Sequence, residues 1–139
     1  MSLADVSGRN VPPSLQVALS DGRGHDWIGD EPVDKGGGDQ GPTPEELLAS
    51  SLATCTAATL RVYARHKQLP LEDVRVTVRF DPQQRGADGT IELTRDIEIA
   101  GALDEHQRRR LIEIAERCPM HKVLTGGIRI ATRESATHV

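Results

Sequence analysis

The sequence predicts an α+β domain in which helices pack on largely antiparallel sheet. Three observations predict it. The segments VRVTVRF (74–80) and IELTRDIEI (91–99) alternate apolar and polar residues with the period of two that a half-buried strand requires. A long Ala- and Leu-rich run, 44–67, repeats its apolar residues at three and four, the spacing of one helix face. The chain order reads β-β-α-β-β-α-β, in which apolar strand faces and helix stripes must cover one another.

Residues 1–13 carry few apolar side chains and end in VPP, so a loose or edge-pairing start is expected. LQVAL (15–19) puts Leu15, Val17 and Leu19 on one face of a strand. Asp21-Gly22 is a hairpin signal, and HDWIGD (25–30) is the returning strand. EPVDKGGGDQG (31–41) reads as a flexible loop. A helix then opens: Thr43 is an N-cap, Pro44 fits the first helical position, and Glu46 completes a capping box. Over 44–67 it would be about 36 Å long at about 1.5 Å per residue. Leu48, Leu52, Cys55, Thr59 and Val62 are expected to share one face.

The alternating segments 74–80 and 91–99 form a hairpin around the connection 81–90, with Arg95 interrupting the apolar face. Asp104 and Gln107 repeat the capping-box pattern, and Leu111, Ile114, Ala115 and Cys118 make one stripe of the next helix. Pro119 biases Cys118 out of the α region and ends or kinks that helix. A short helix from Pro119 stops at Gly126-Gly127, and IRIAT (128–132) is the expected last strand.

At 139 residues a single domain, 1–139, is expected. One Trp, one Tyr and one Phe imply an aliphatic core and argue against stacking platforms for single-stranded nucleic acid. A net charge of −4 argues against an electrostatic grip on nucleic acid or an anionic membrane. MSLADVSGRN lacks a basic and an apolar region, so no secretory signal is expected, and no apolar run has the length of a membrane span. The expected compartment is the cytoplasm, where a disulfide is transient and catalytic or redox-sensing.

Two cysteines stand out, Cys55 in LATCTAATL and Cys118 in ERCPMHKVL. Each lies in a helix-like apolar pattern, which suits a small buried hydrophobe equally well. Cys118 precedes a helix-starting proline and so can take the N-cap, where backbone N–H groups favour a thiolate. Core filler, crosslink and working pair all remain open at this point. Cys118-x-x-His121 with Cys55 gives three metal ligands but no fourth at finger-like spacing.

A thiol that attacks a peroxide must be ionised, with a cation to hold it so and a group to orient that cation. Arg23, Arg61, Arg65 and Arg117 are candidate cations, and Glu45 and Glu46 candidate carboxylates. Glu46 has the ordinary role of a capping-box residue, Glu45 that of a dipole partner, and Arg23 that of a solvated turn arginine. Arg108-Arg109-Arg110 reads as the wet face of an amphipathic helix.

GPTPEELLASSLATCTAATL together with CPMHKVL resembles the OsmC/Ohr family, the osmotically inducible and organic-hydroperoxide-resistance proteins. The resemblance runs from residue 15 to 132. It rests on a Pro-Glu-x-Leu segment, a Cys ten residues after the first Glu, and a Cys-Pro about sixty residues further on; DGRG is similar to a short arginine turn of the family. It implies an OsmC-like fold with antiparallel sheets packed on two long central helices in an intertwined homodimer. It implies a cysteine-based peroxidase reducing small organic hydroperoxides, with no metal or haem, recharged by an external dithiol of lipoyl-protein type. By that resemblance Cys55 is the peroxidatic thiol, Cys118 the resolving thiol, Arg23 the cation beside Cys55, and Glu45 its orienting carboxylate. PMHK, the scarce aromatics and the extended 30–40 loop are more similar to the broad OsmC-like branch. The alternative is a non-catalytic OsmC-like dimer that binds a small apolar or thiol-reactive ligand.

One consequence is geometric. Ten residues of straight helix between Glu45 and Cys55 separate them by about 15 Å along the axis. Either the helix breaks, or Glu45 serves a site built with a second chain.

Overall fold

The structure is a computed structural model and describes residues 4–136. In chain order it contains β1 (Ser7–Asn10), β2 (Val17–Ser20), β3 (Asp26–Gly29), a single 3-10 turn (Val33–Lys35), α1 (Pro44–His66), β4 (Leu71–Arg79), β5 (Thr94–Gly101), α2 (Glu105–Ala115) and α3 (Pro119–Thr125). The chain forms two compact units, one of residues up to Ala53 with Thr77–Asp96, the other of Thr54–Val76 with residues from Ile97 onward. No helix among the described residues is long and apolar enough to cross a membrane.

In the first unit β1, β2 and β3 form an antiparallel meander. Register is fixed at Gly8↔Leu19 and Leu19↔Trp27. Of the expected loose or edge-pairing start, the edge-pairing alternative holds: β1 is an edge strand whose residues are all exposed; Met1–Leu3 of that segment lie outside the described residues. β1 has no apolar alternation to announce it, and pairing with β2 is what makes it a strand. The β2–β3 turn is tied by Asp21, whose carboxylate accepts from the backbone N–H groups of Arg23 and His25.

The glycine-rich segment after β3 is more ordered than its composition suggests. Asp30 is buried and its carboxylate accepts from the N–H groups of Glu31 (2.8 Å) and Gln40 (3.0 Å), closing the loop on itself. Gly37 has no substitute there, because a Cβ would stand 1.9 Å from the Glu31 carbonyl oxygen. The start of α1 is closed by the expected box: the Thr43 hydroxyl accepts from the Glu46 N–H, and the Glu46 carboxylate accepts from the Thr43 N–H.

The second unit holds the main aliphatic core, Leu60, Ala64, Leu71, Leu111, Ile114 and Ala115, with Tyr63, Val74, Ile97 and Ile99 packed around it. α2 begins in a complete capping box, Asp104 to the Gln107 N–H at 2.7 Å and the Gln107 side chain to the Asp104 N–H at 2.9 Å. Its expected stripe is the buried one: Leu111, Ile114, Ala115 and Cys118 are all inside. The stripe expected for α1 is not. The buried positions are Leu52, Thr56, Leu60 and Ala64, each four after the last, whereas Val62 is 64% exposed. Both stripes are legible in an Ala-rich helix, and packing selected the one that carries Leu60.

β4 and β5 make a second, two-stranded sheet. The ion pairs Arg75–Glu98 and Arg79–Asp96 run in opposite order along them, as an antiparallel pair requires. The expected strand 128–132 is absent: neither sheet includes it, and Ile130 is 85% exposed. Its alternating Ile128 and Ile130 have the composition of a strand, but no strand edge among the described residues pairs with them. Among the described residues this one chain has one long helix, of 23 residues, beside helices of 11 and 7.

Candidate functional site

The second unit holds both sulfurs. Cys55 lies in α1 and is half-buried; Cys118 is fully buried, and both are free thiols. The Cys118 backbone is extended (φ −65°, ψ 143°), the conformation that the following proline favours, and the residue caps α3 with Pro119 at its start. Its Sγ accepts a hydrogen bond from the His121 backbone N–H at 3.3 Å. The expected N-cap cysteine is therefore present.

A second neighbour of the sulfur was not singled out by sequence. Thr56, fully buried in α1, sets its Oγ1 3.7 Å from Cys118 Sγ. A signal existed: Thr56 is four residues from both Leu52 and Leu60, on the stripe that is buried, and a buried hydroxyl must find a polar partner. Thr56 directly follows Cys55. Cys118 therefore packs against the turn of α1 that carries Cys55.

His121 shares that region. Its Nε2 lies 3.3 Å from the Glu116 carboxylate, which gives the ring a structural partner across the α2–α3 junction. Among the described residues no three His, Cys, Asp or Glu side chains cluster as a metal site would require.

The candidate arginines fare differently. Arg61 is engaged structurally: its guanidinium donates to the carbonyls of Leu71 (2.6 Å) and Glu72 (3.1 Å), fastening α1 to the start of β4. Arg65 and Arg117 are exposed. The run 108–110 is less wet than expected. Arg108 donates to the Ile99 carbonyl at 3.0 Å, and Arg110 bonds Glu113 and lies 3.4 Å from the Tyr63 hydroxyl; of the three, only Arg109 is exposed rather than half-buried.

Arg23 and Glu45 belong to the first unit. The Arg23 side chain is 74% exposed at the β2–β3 turn and pairs with Asp21 at 3.1 Å. His25 Nδ1 reaches the same Asp21 oxygen at 2.6 Å. The Arg23 backbone N–H, and after it the His25 ring and backbone, hold the Asp21 carboxyl down at about 2 against the opposing effect of desolvation. The turn thus presents a guanidinium on a carboxylate that stays ionised well below the usual range. Glu45 is half-buried in the first turn of α1. α1 is unbroken from Pro44 to His66, so about 15 Å of helix rise lies between Glu45 and Cys55.

The first unit also has an apolar pocket of about 240 Å³, partly open to solvent and lined by Leu15, Val17, Leu19, Pro44 and Leu47, beside the turn that carries Glu45. Glu31 closes one side, with its Oε1 buried and without a hydrogen-bond partner.

Comparison with known proteins places this arrangement. No match is found among curated proteins. Solved structures match across nearly the whole chain. An OsmC-like protein from Mycoplasma pneumoniae is 22% identical, with 90% of this chain and 89% of that one covered and a TM-score of 0.75. An organic hydroperoxide resistance protein, OsmC, from Legionella pneumophila is 23% identical over 91% of each chain, with a TM-score of 0.69. The organic hydroperoxide resistance protein OhrB of Bacillus subtilis is 23% identical over 90% of this chain and 92% of that one, with a TM-score of 0.62. At these identities the likeness is one of α+β fold. The family profile of the OsmC-like proteins covers residues 36–133, which include both cysteines, and the chain therefore belongs to the OsmC-like family.

Proposed function

We propose that the protein is a thiol peroxidase that reduces organic hydroperoxides to alcohols through Cys55 and Cys118. The observation that carries the reading is the packing of Cys118 Sγ against Thr56, the residue after Cys55. The only two cysteines of this OsmC-like chain, 63 positions apart, belong to the same compact unit. Some solved relatives of the same fold are named organic hydroperoxide resistance proteins.

The chemistry runs in three steps. The Cys55 thiolate attacks the outer peroxide oxygen; an S–O bond forms, the O–O bond breaks, and the alkoxide takes a proton and leaves as alcohol. Cys55 is then a sulfenic acid, two electrons poorer. The Cys118 thiolate attacks that sulfur, the disulfide forms, and the hydroxyl leaves as water. An external dithiol, of lipoyl type, reduces the disulfide by exchange and is itself oxidised to a disulfide.

Within this reading the chain acts as a single OsmC-like domain in an intertwined homodimer, with the long helices of two copies at its centre. Two features favour the second copy. Unbroken α1 keeps Glu45 about 15 Å along the axis from the Cys55 of its own helix, which supports an orienting carboxylate supplied by the partner. The segment 128–132, with Ile130 exposed, has a strand's pattern and no strand beside it among the described residues. The apolar cavity next to Glu45 is sized for an alkyl group and favours alkyl over hydrogen peroxide. The compartment is proposed to be the cytoplasm, where a dithiol reductant keeps the cycle turning.

The test is hydroperoxide consumption by Cys55→Ser with excess dithiol. Loss of consumption supports the scheme; turnover equal to the parent rejects it. A non-catalytic ligand-binding dimer predicts the second outcome, with neither thiol oxidised in the parent.

A further inference from the structure

Glu31 lines the apolar pocket of the first unit with one carboxylate oxygen, Oε1, buried and without a hydrogen-bond partner among the described residues. A buried acceptor left so costs free energy, and a donor brought by a ligand relieves that cost. The loop fixes the residue before any ligand arrives. The Glu31 backbone N–H donates to the buried Asp30 carboxylate at 2.8 Å, and the Glu31 carbonyl accepts from the Asp39 N–H at 3.1 Å. Only the side chain is left to adjust, and the terminal torsion of a glutamate is broad, so the carboxylate turns toward a donor at little cost.

The rest of the lining is mostly aliphatic, with Leu15, Val17 and Leu19 opposite Leu47 of α1. A volume of about 240 Å³ lies below the roughly 300–1,000 Å³ of sites for drug-sized molecules, so the pocket suits a short chain. Charge sets the kind of donor. The first unit, residues 1–53 with 77–96, carries thirteen Asp and Glu against six Lys and Arg. A surface of that sign concentrates cations and turns anions away.

We propose that this pocket binds a small alkylammonium ion: the chain lies on Leu15, Val17, Leu19 and Leu47, and the ammonium donates a charge-assisted hydrogen bond to Glu31. A carboxylate only accepts, so a plain alkyl group leaves Oε1 as it stands, whereas an ammonium brings three donors. The site is one of equilibrium binding and does not rest on the peroxidase reading. It gives the ordered 31–41 loop a task, which is to hold a carboxylate against an aliphatic wall.

The test is a methyl NMR titration of the full-length protein with n-pentylammonium, n-pentanol and pentanoate as separate probes. The expected result is saturable shifts at the methyls of Leu15, Val17, Leu19 and Leu47 with n-pentylammonium, at a Kd on the order of 1 mM. Binding of n-pentanol should be about tenfold weaker, and pentanoate should not bind. In Glu31→Gln the ammonium should lose about tenfold while n-pentanol changes by less than about twofold, since the wall is intact. Gly29→Ala keeps the test decisive if Glu31→Gln disturbs the loop. Its added methyl would stand 3.4 Å from Leu47 Cδ1 and 3.5 Å from Leu19 Cδ1, ordinary contacts that fold normally but narrow the pocket, so both probes should weaken together. Equal affinity for ammonium and alcohol in the parent overturns the proposal. So does an ammonium affinity that responds to Glu45→Gln and not to Glu31→Gln. Absence of saturable binding, which is also the outcome if a second copy of the chain fills the pocket, overturns it as well. Hydroperoxide consumption enters none of these readings, so the peroxidase reading fails or stands separately.

Discussion

Thr56 and Cys118, 62 residues apart in the chain, meet in the core with Oγ1 3.7 Å from Sγ. The contact joins α1 to the α2–α3 junction, one residue after Cys55 in the chain.

Composite sites have a direct signature. If Glu45 serves the Cys55 of the other copy, Cys55→Ser and Glu45→Gln proteins are each inactive alone but recover activity when unfolded and refolded together. A symmetric dimer formed at random should regain about a quarter of parental turnover, from one intact site in the mixed half of the population. No recovery on mixing would place Glu45 outside the partner's site.

The Asp21 turn makes a pH prediction. Its carboxyl sits at about 2, below the ordinary 3.8, because the Arg23 N–H and then His25 bond the ionised form. A carboxyl lowered on folding contributes stability that is fully present above about pH 4 and is lost as pH falls toward 2. Asp21→Asn should therefore be less stable than the parent at neutral pH, with the difference vanishing near pH 2. A carbon-detected NMR titration of Asp21 with its midpoint at the ordinary carboxylate value would contradict this.

Capping and core substitutions calibrate the fold. Asp104→Ala removes the acceptor for the Gln107 N–H and should cost about 1 kcal/mol, a fall of about 3 °C in Tm. Leu111→Ala empties a fully buried site and should cost about 2–5 kcal/mol. Urea unfolding curves separate the two; equal effects would mean that the α2 face is not the packed one.

The start signals of the helices were legible because they are local. Thr43 with Glu46, Asp104 with Gln107, and Cys118-Pro119 each bond within three residues, so spacing alone encodes them. The α2 stripe was legible because its other face is charged. The α1 stripe was not, since Ala and Ser on every side leave several faces nearly equal, and only packing against Leu111 and Ile114 selects Leu60 and Ala64. Thr56 was hidden for the same reason. β1 has no alternation of its own, and IRIAT has alternation but pairs with no strand among the described residues. Strand pairing is a property of two segments, and one segment's pattern cannot supply its partner. Arg23 and Glu45 were read from resemblance, and no local pattern in the sequence assigns them a role.

The central claim is that Cys55 and Cys118 form one redox couple. The most direct measurement is mass spectrometry of the reduced protein before and after one equivalent of an organic hydroperoxide, with alkylation of whatever thiols remain. A Cys55–Cys118 disulfide, two hydrogens lighter and reversed by a dithiol, is the predicted result. Two thiols still fully alkylated after exposure would contradict it.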